Sequence, residues 1–68
     1  MPYTSREMVA KLQRGGFVIR RQSGSHAILR SAEGRRTTIA MHPGDVPEGT
    51  FRAILKQAGL THEEFKKL

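Results

Sequence analysis

Residues 17–29 read Phe17-Val18-Ile19-Arg20-Arg21-Gln22-Ser23-Gly24-Ser25-His26-Ala27-Ile28-Leu29. Two short apolar runs, Phe17 to Ile19 and Ala27 to Leu29, flank a polar stretch with turn chemistry at Ser23-Gly24. Glycine enters positive-φ conformations at little steric cost, so the whole stretch predicts a β-hairpin with His26 at the start of its second strand. An even-numbered loop centred on Ser23-Gly24 would set Arg21 directly opposite His26 on one face. The hairpin is the hinge of the reading, because the chain before it and after it has a different period.

Upstream, Thr4-Ser5-Arg6-Glu7 fits a capping box, with Tyr3 and Met8 spaced for a hydrophobic staple. Met8, Val9 and Leu12 fall on one helical face, and Gly15-Gly16 closes a helix over about residues 5–14. Downstream, Ala32-Glu33-Gly34 makes a second turn, and Arg35 to Met41 reads as a third strand. The loop His42-Pro43-Gly44-Asp45-Val46-Pro47 leads to a second amphipathic helix with Phe51, Ile54, Leu55 and Ala58 as its buried stripe. Thr50 is a candidate cap for that helix, and Pro47 can equally sit in the first turn of one that begins earlier. Gly59 ends it. Leu60-Thr61-His62-Glu63-Glu64-Phe65 repeats the opening capping device, so a short third helix is expected to pack Phe65 and Leu68 back on the body.

The order is α-β-β-β-α with a short extra helix, an α+β class. Each helix has one apolar stripe to bury, so a three-stranded antiparallel sheet covered by helices on one face is expected, with the other face free. Double-stranded-RNA-binding domains share this element order. Nothing marks a linker or a repeat, and residues 1–68 read as one small domain.

Composition narrows the function classes. Twelve Lys and Arg against six Asp and Glu give a formal charge of +6 and an isoelectric point near 10.9. Such a balance in so short a chain implies a polyanionic partner, nucleic acid or an acidic protein. There are no cysteines, hence no disulfide. Three isolated histidines without a thiolate lack zinc-ligand spacing, so neither a metal nor another cofactor is expected. No apolar run spans a membrane, and the polar start, with no signal peptide, points to the cytoplasm.

Gly16-Phe17, Arg21, Gly24-Ser25-His26 and Glu33-Gly34-Arg35-Arg36, followed by the run from Gly49 to Leu60, resemble the HicA toxin family of bacterial toxin–antitoxin systems. The resemblance extends from about Leu12 to Leu68. It implies a double-stranded-RNA-binding-domain-like fold and a small ribonuclease that cleaves messenger RNA until a cognate HicB antitoxin blocks it. The family's catalytic histidine falls on His26. One departure is Ala27, where many members carry a large polar or aromatic residue, a difference expected to touch substrate contacts.

The residues support that chemistry in their own right. An imidazole titrating near neutral pH can take a proton from a ribose 2′-hydroxyl or give one to a leaving oxygen. Arg20, Arg21, Arg30, Arg35 and Arg36 cluster on the sheet and its turns, and a guanidinium offers two parallel donors to phosphate. Arg21 stands out by its expected place beside His26, and Ser25 can bond phosphate or simply close the turn. The reading is a metal-independent endoribonuclease, monomeric when free and hetero-oligomeric with its antitoxin. A non-catalytic module of double-stranded-RNA-binding type is the alternative, and the fate of activity on losing His26 separates the two.

Overall fold

A computed structural model describes residues 3–68, and Met1 and Pro2 lie outside the described residues. The elements run α1 (Ser5–Arg14), β1 (Val18–Ser23), β2 (His26–Arg30), β3 (Arg36–Ala40), α2 (Glu48–Ala58) and α3 (His62–Lys66). The strands form one antiparallel sheet in the order β1-β2-β3, as the sequence predicts.

The capping boxes form as read. In α1 the Glu7 amide donates to Thr4 Oγ1 at 3.1 Å and the Thr4 amide donates to Glu7 Oε1 at 2.8 Å. In α3 Thr61 and Glu64 repeat the pair at 3.1 and 2.8 Å. Each box satisfies two amide donors that a helix start leaves free. The helix α2 begins before Thr50. Pro47 is its N-cap, with extended backbone (φ −58°, ψ 148°), and its carbonyl accepts the first helical bond from the Phe51 amide. Proline loses no donor at that position and Glu48 complements the helix dipole, so the earlier of the two starts wins.

One face of the sheet carries the core. Ala27 and Leu29 of β2 and Ile39 of β3 meet Met8, Val9 and Leu12 of α1 and Phe51, Ile54, Leu55 and Ala58 of α2. Phe65 of α3 is fully buried in the same cluster. Its ring meets Tyr3 edge-on at 5.2 Å and Phe51 at 5.6 Å, geometries that suit the aromatic quadrupole. Polar groups on this face are matched. Ser5 Oγ donates to the Ala40 carbonyl at 2.7 Å, and buried Thr37 Oγ1 donates to Gln57 Oε1 at 2.7 Å. These two bonds fix β3 against α1 and α2 at opposite ends, so the strand that flanks His26 is held from both helices.

The loop from 42 to 47 turns back over the start of α1. The Val46 amide donates to the Tyr3 carbonyl at 2.7 Å, and Thr4 bridges Asp45. Tyr3 then stacks on Phe51 at 5.6 Å. No helix among the described residues is long and apolar enough to cross a membrane.

Candidate active site

The uncovered face is built by alternation along three strands. His26, Ile28 and Arg30 of β2 point away from the helices, because Ala27 and Leu29 between them are buried. Their partners on β3 are Ala40, Thr38 and Arg36, and on β1 they are Ser23, Arg21 and Val18. This face therefore carries His26, Arg21, Arg30 and Arg36 together.

The hairpin turn is Gly24-Ser25, one residue later than a loop centred on Ser23-Gly24. Gly24 has φ +57° and no non-glycine residue among the described residues has positive φ, the pattern of a type II′ turn with glycine first. Glycine must occupy that first central position, so Ser23, not Arg21, lies opposite His26. Moving the turn by one residue shifts the pairing by two and keeps each side chain on its face. Arg21 pairs with Ile28 and is the diagonal neighbour of His26, about 7–8 Å away and within reach of a long side chain.

A β-bulge at Arg20 makes this possible. The register runs Ile19↔Leu29 and then Arg21↔Ile28, so Arg20 and Arg21 together oppose one residue. In an unbroken ladder Arg20 would face Ile28 and Arg21 would face Ala27, on the helix side of this edge strand, the place that Gln22 takes instead and where it stays exposed. Simple alternation along the strand overlooks the bulge.

The remaining arginines separate. Arg20 joins Val18 and Arg30 around a shallow hollow at the far end of the open face. Arg30 and Arg36 are direct cross-strand partners, a like-charge pairing that opposes folding. Arg35 leaves the face: a Cβ added at Gly59 would run into its guanidinium. It thus sits at the C-terminus of α2, where the helix dipole favours a cation. Among the described residues the one ion pair is Arg52–Glu48 on exposed helix surface, so Arg20, Arg21, Arg30 and Arg36 have no carboxylate partner.

Ser25 contributes its backbone, its carbonyl accepting from the Met41 amide at 2.5 Å. That bond ties the hairpin tip to the end of β3 and holds the His26 end of the sheet. His42 follows at the same end, exposed, its amide donating to the Ala40 carbonyl at 3.1 Å. Among the described residues no three His, Cys, Asp or Glu side chains gather where they could hold a metal. The chemistry open to this face is that of an imidazole and several guanidiniums: proton transfer and stabilisation of a phosphate charge.

Element order and a bare basic sheet face define a small α+β domain of double-stranded-RNA-binding-domain-like architecture. The family model for the HicA toxin of bacterial toxin–antitoxin systems matches residues 5–60, most of the 68-residue chain, and the chain belongs to that family. No curated protein matches it. The departure at Ala27 concerns packing: its side chain is buried between sheet and helices and does not reach the open face.

Proposed function

We propose that the chain, as one toxin domain over residues 1–68, is an endoribonuclease that cleaves messenger RNA in the cytoplasm and is blocked by a HicB-like antitoxin. The observation that carries this reading is an exposed histidine on a helix-free sheet face, with an unpaired arginine diagonal to it, in a member of the HicA toxin family. In the reaction the 2′-oxygen of a ribose bonds to the adjacent phosphorus while His26 accepts the hydroxyl proton. The bond from phosphorus to the 5′-oxygen breaks, and that oxygen takes up a proton. The products are a 2′,3′-cyclic phosphate and a free 5′-hydroxyl. Arg21 steadies the charge that develops on the phosphate. Such a route draws on no metal.

The antitoxin is expected to lie over His26 and neutralise part of the arginine face, with the free toxin a monomer. The decisive experiment is cleavage of RNA by wild type and His26→Ala in the presence of a chelator, with mass spectrometry of the ends. Expected are cyclic phosphate ends from the wild type, none from His26→Ala despite a native circular dichroism spectrum, and no cutting of 2′-O-methyl RNA. A 5′-phosphate with a free 3′-hydroxyl, or activity restored only by a divalent ion, would overturn the mechanism. Equal growth arrest by wild type and His26→Ala would favour the non-catalytic RNA-binding alternative.

A further inference from the structure

The open face has a second feature at the end away from His26. A hollow of about 400 Å³ lies between Val18, Arg20, Arg30 and the turn at Ser31–Gly34. Val18 is the exposed large hydrophobic residue of the described chain, at 55%. The two guanidiniums that flank it have no carboxylate partner. Gly16 (φ +98°) and Gly34 (φ +86°) border the hollow, and a Cβ at either would meet nothing within 4 Å. Both positive-φ turns thus leave its rim open.

The bulge explains why Arg20 is there. It takes Arg20 out of the regular ladder and lets it share the hollow with Arg30, while Arg21 is kept beside His26. Arg36, directly across from Arg30, adds a third positive charge at the same end. A like-charge pair retained at a cost in stability, next to a lone exposed apolar side chain, suits a ligand that is anionic and has a flat apolar face. A nucleotide has both: its phosphate takes the guanidinium fork and its base lies on Val18 or on a guanidinium plane.

We infer that this hollow is an anchoring subsite for single-stranded RNA, holding one nucleotide of the substrate away from the cleaved bond. It rests on the ribonuclease reading of His26 and names a separate part of the same face. Arg30 lies four residues along β2 from His26, about 14 Å at the rise of an extended strand. A strand of RNA cut at His26 and running along β2 reaches the hollow within a few nucleotides. An acidic protein would be a competitor for the charge, but a concavity of nucleotide size with one apolar wall fits a base better than a carboxylate side chain.

The test measures affinity by fluorescence anisotropy, in the His26→Ala background so that RNA stays intact. Single-stranded RNAs are compared that end at the cut site or extend beyond it by about four nucleotides on either side, within the usual span of such sites. Extension is expected to tighten binding on one side. Arg20→Gln and Arg30→Gln should each abolish about tenfold of that gain, the worth of one charge-assisted contact. Their combination should lower the salt slope by about one to two, with Val18→Ser reducing the gain at unchanged salt slope. Arg30→Lys, which keeps charge and fold but loses the fork, should fall between. Loss of the length-dependent gain supports the subsite, even if wild-type protein proves unable to cut RNA, in which case only the ribonuclease reading falls. Wild type that cuts RNA while the variants keep their full length preference overturns the subsite and leaves the ribonuclease reading standing. Weakened antitoxin binding with unchanged RNA affinity overturns it in favour of a protein contact.

Discussion

Deleting Arg20 should remove the bulge and leave the rest of the sheet in register. The ladder would run Ile19↔Leu29 then Arg21↔Ile28 without interruption, because both pairs already exist on either side of the extra residue. Healing the ladder gains about one hydrogen bond, roughly 0.5–1.5 kcal/mol net, against the loss of local twist that the bulge provides. The two nearly cancel, so stability should change by about 1 kcal/mol or less, and the melting temperature by about 8 °C at most for a domain this size. In a strand without a bulge the same deletion would turn half of β1 over. Ile19 would leave its half-buried place beside Leu29, costing about 1.5–3 kcal/mol. Total stability for 68 residues is on the order of 3–10 kcal/mol, so that protein would lose a large share of it. Thermal melts by circular dichroism separate the outcomes, and cross-strand nuclear Overhauser contacts between residues 21 and 28 report the register directly. A variant that is unfolded, or melts more than about 20 °C lower, would refute the bulge and with it the placement of Arg21 beside His26.

Two further outcomes test the body that carries this face. Phe65→Ala should cost about 3–5 kcal/mol, since the ring is fully buried against Tyr3 and Phe51; a fall in melting temperature of less than about 5 °C would show that α3 does not seal the core. Glu64 titrates below the usual glutamate range, because the Thr61 backbone amide, and then the Thr61 hydroxyl, hold its charged form. A carboxyl depressed on folding stabilises above its unfolded pKa and loses that contribution as pH falls through the folded value. The melting temperature of wild type should therefore exceed that of Glu64→Ala at pH 6, with the gap narrowing below about pH 4. A gap that widens on acidification would reverse the assigned sign.

Most of the fold was legible because each element carries its own local signal. Thr4 and Glu7, and again Thr61 and Glu64, mark helix starts by a reciprocal bond that depends on three-residue spacing alone. The stripe Phe51, Ile54, Leu55 and Ala58 gives the buried face of α2 from periodicity. What stayed hidden depends on pairs distant in sequence. The bulge shows only in the pairing of β1 with β2, and the turn position follows from which residue accepts φ +57°. Arg35 shows the same limit: composition groups it with the other sheet arginines, whereas tertiary packing turns it to the end of α2 over Gly59.

The acidic residues explain why the charge of the open face is left unbalanced. Of six carboxylates in the chain, Glu7 and Glu64 are engaged in capping boxes and Glu48 pairs with Arg52 one helical turn away. Glu63 lies in the first turn of α3, Asp45 in the loop that bridges Thr4, and Glu33 in the turn after β2. None stands on a strand, so nothing opposes Arg21, Arg30 and Arg36 across the sheet. Carboxylates at helix starts stabilise those helices by dipole and hydrogen bond, and the same allocation leaves positive charge spread along the open sheet face. Cross-strand pairs of opposite charge are favourable and like pairs are not. Arg30 facing Arg36 is the reverse choice. Stability gives way there to an open face of unbalanced positive charge, the feature on which the proposed RNA contact rests.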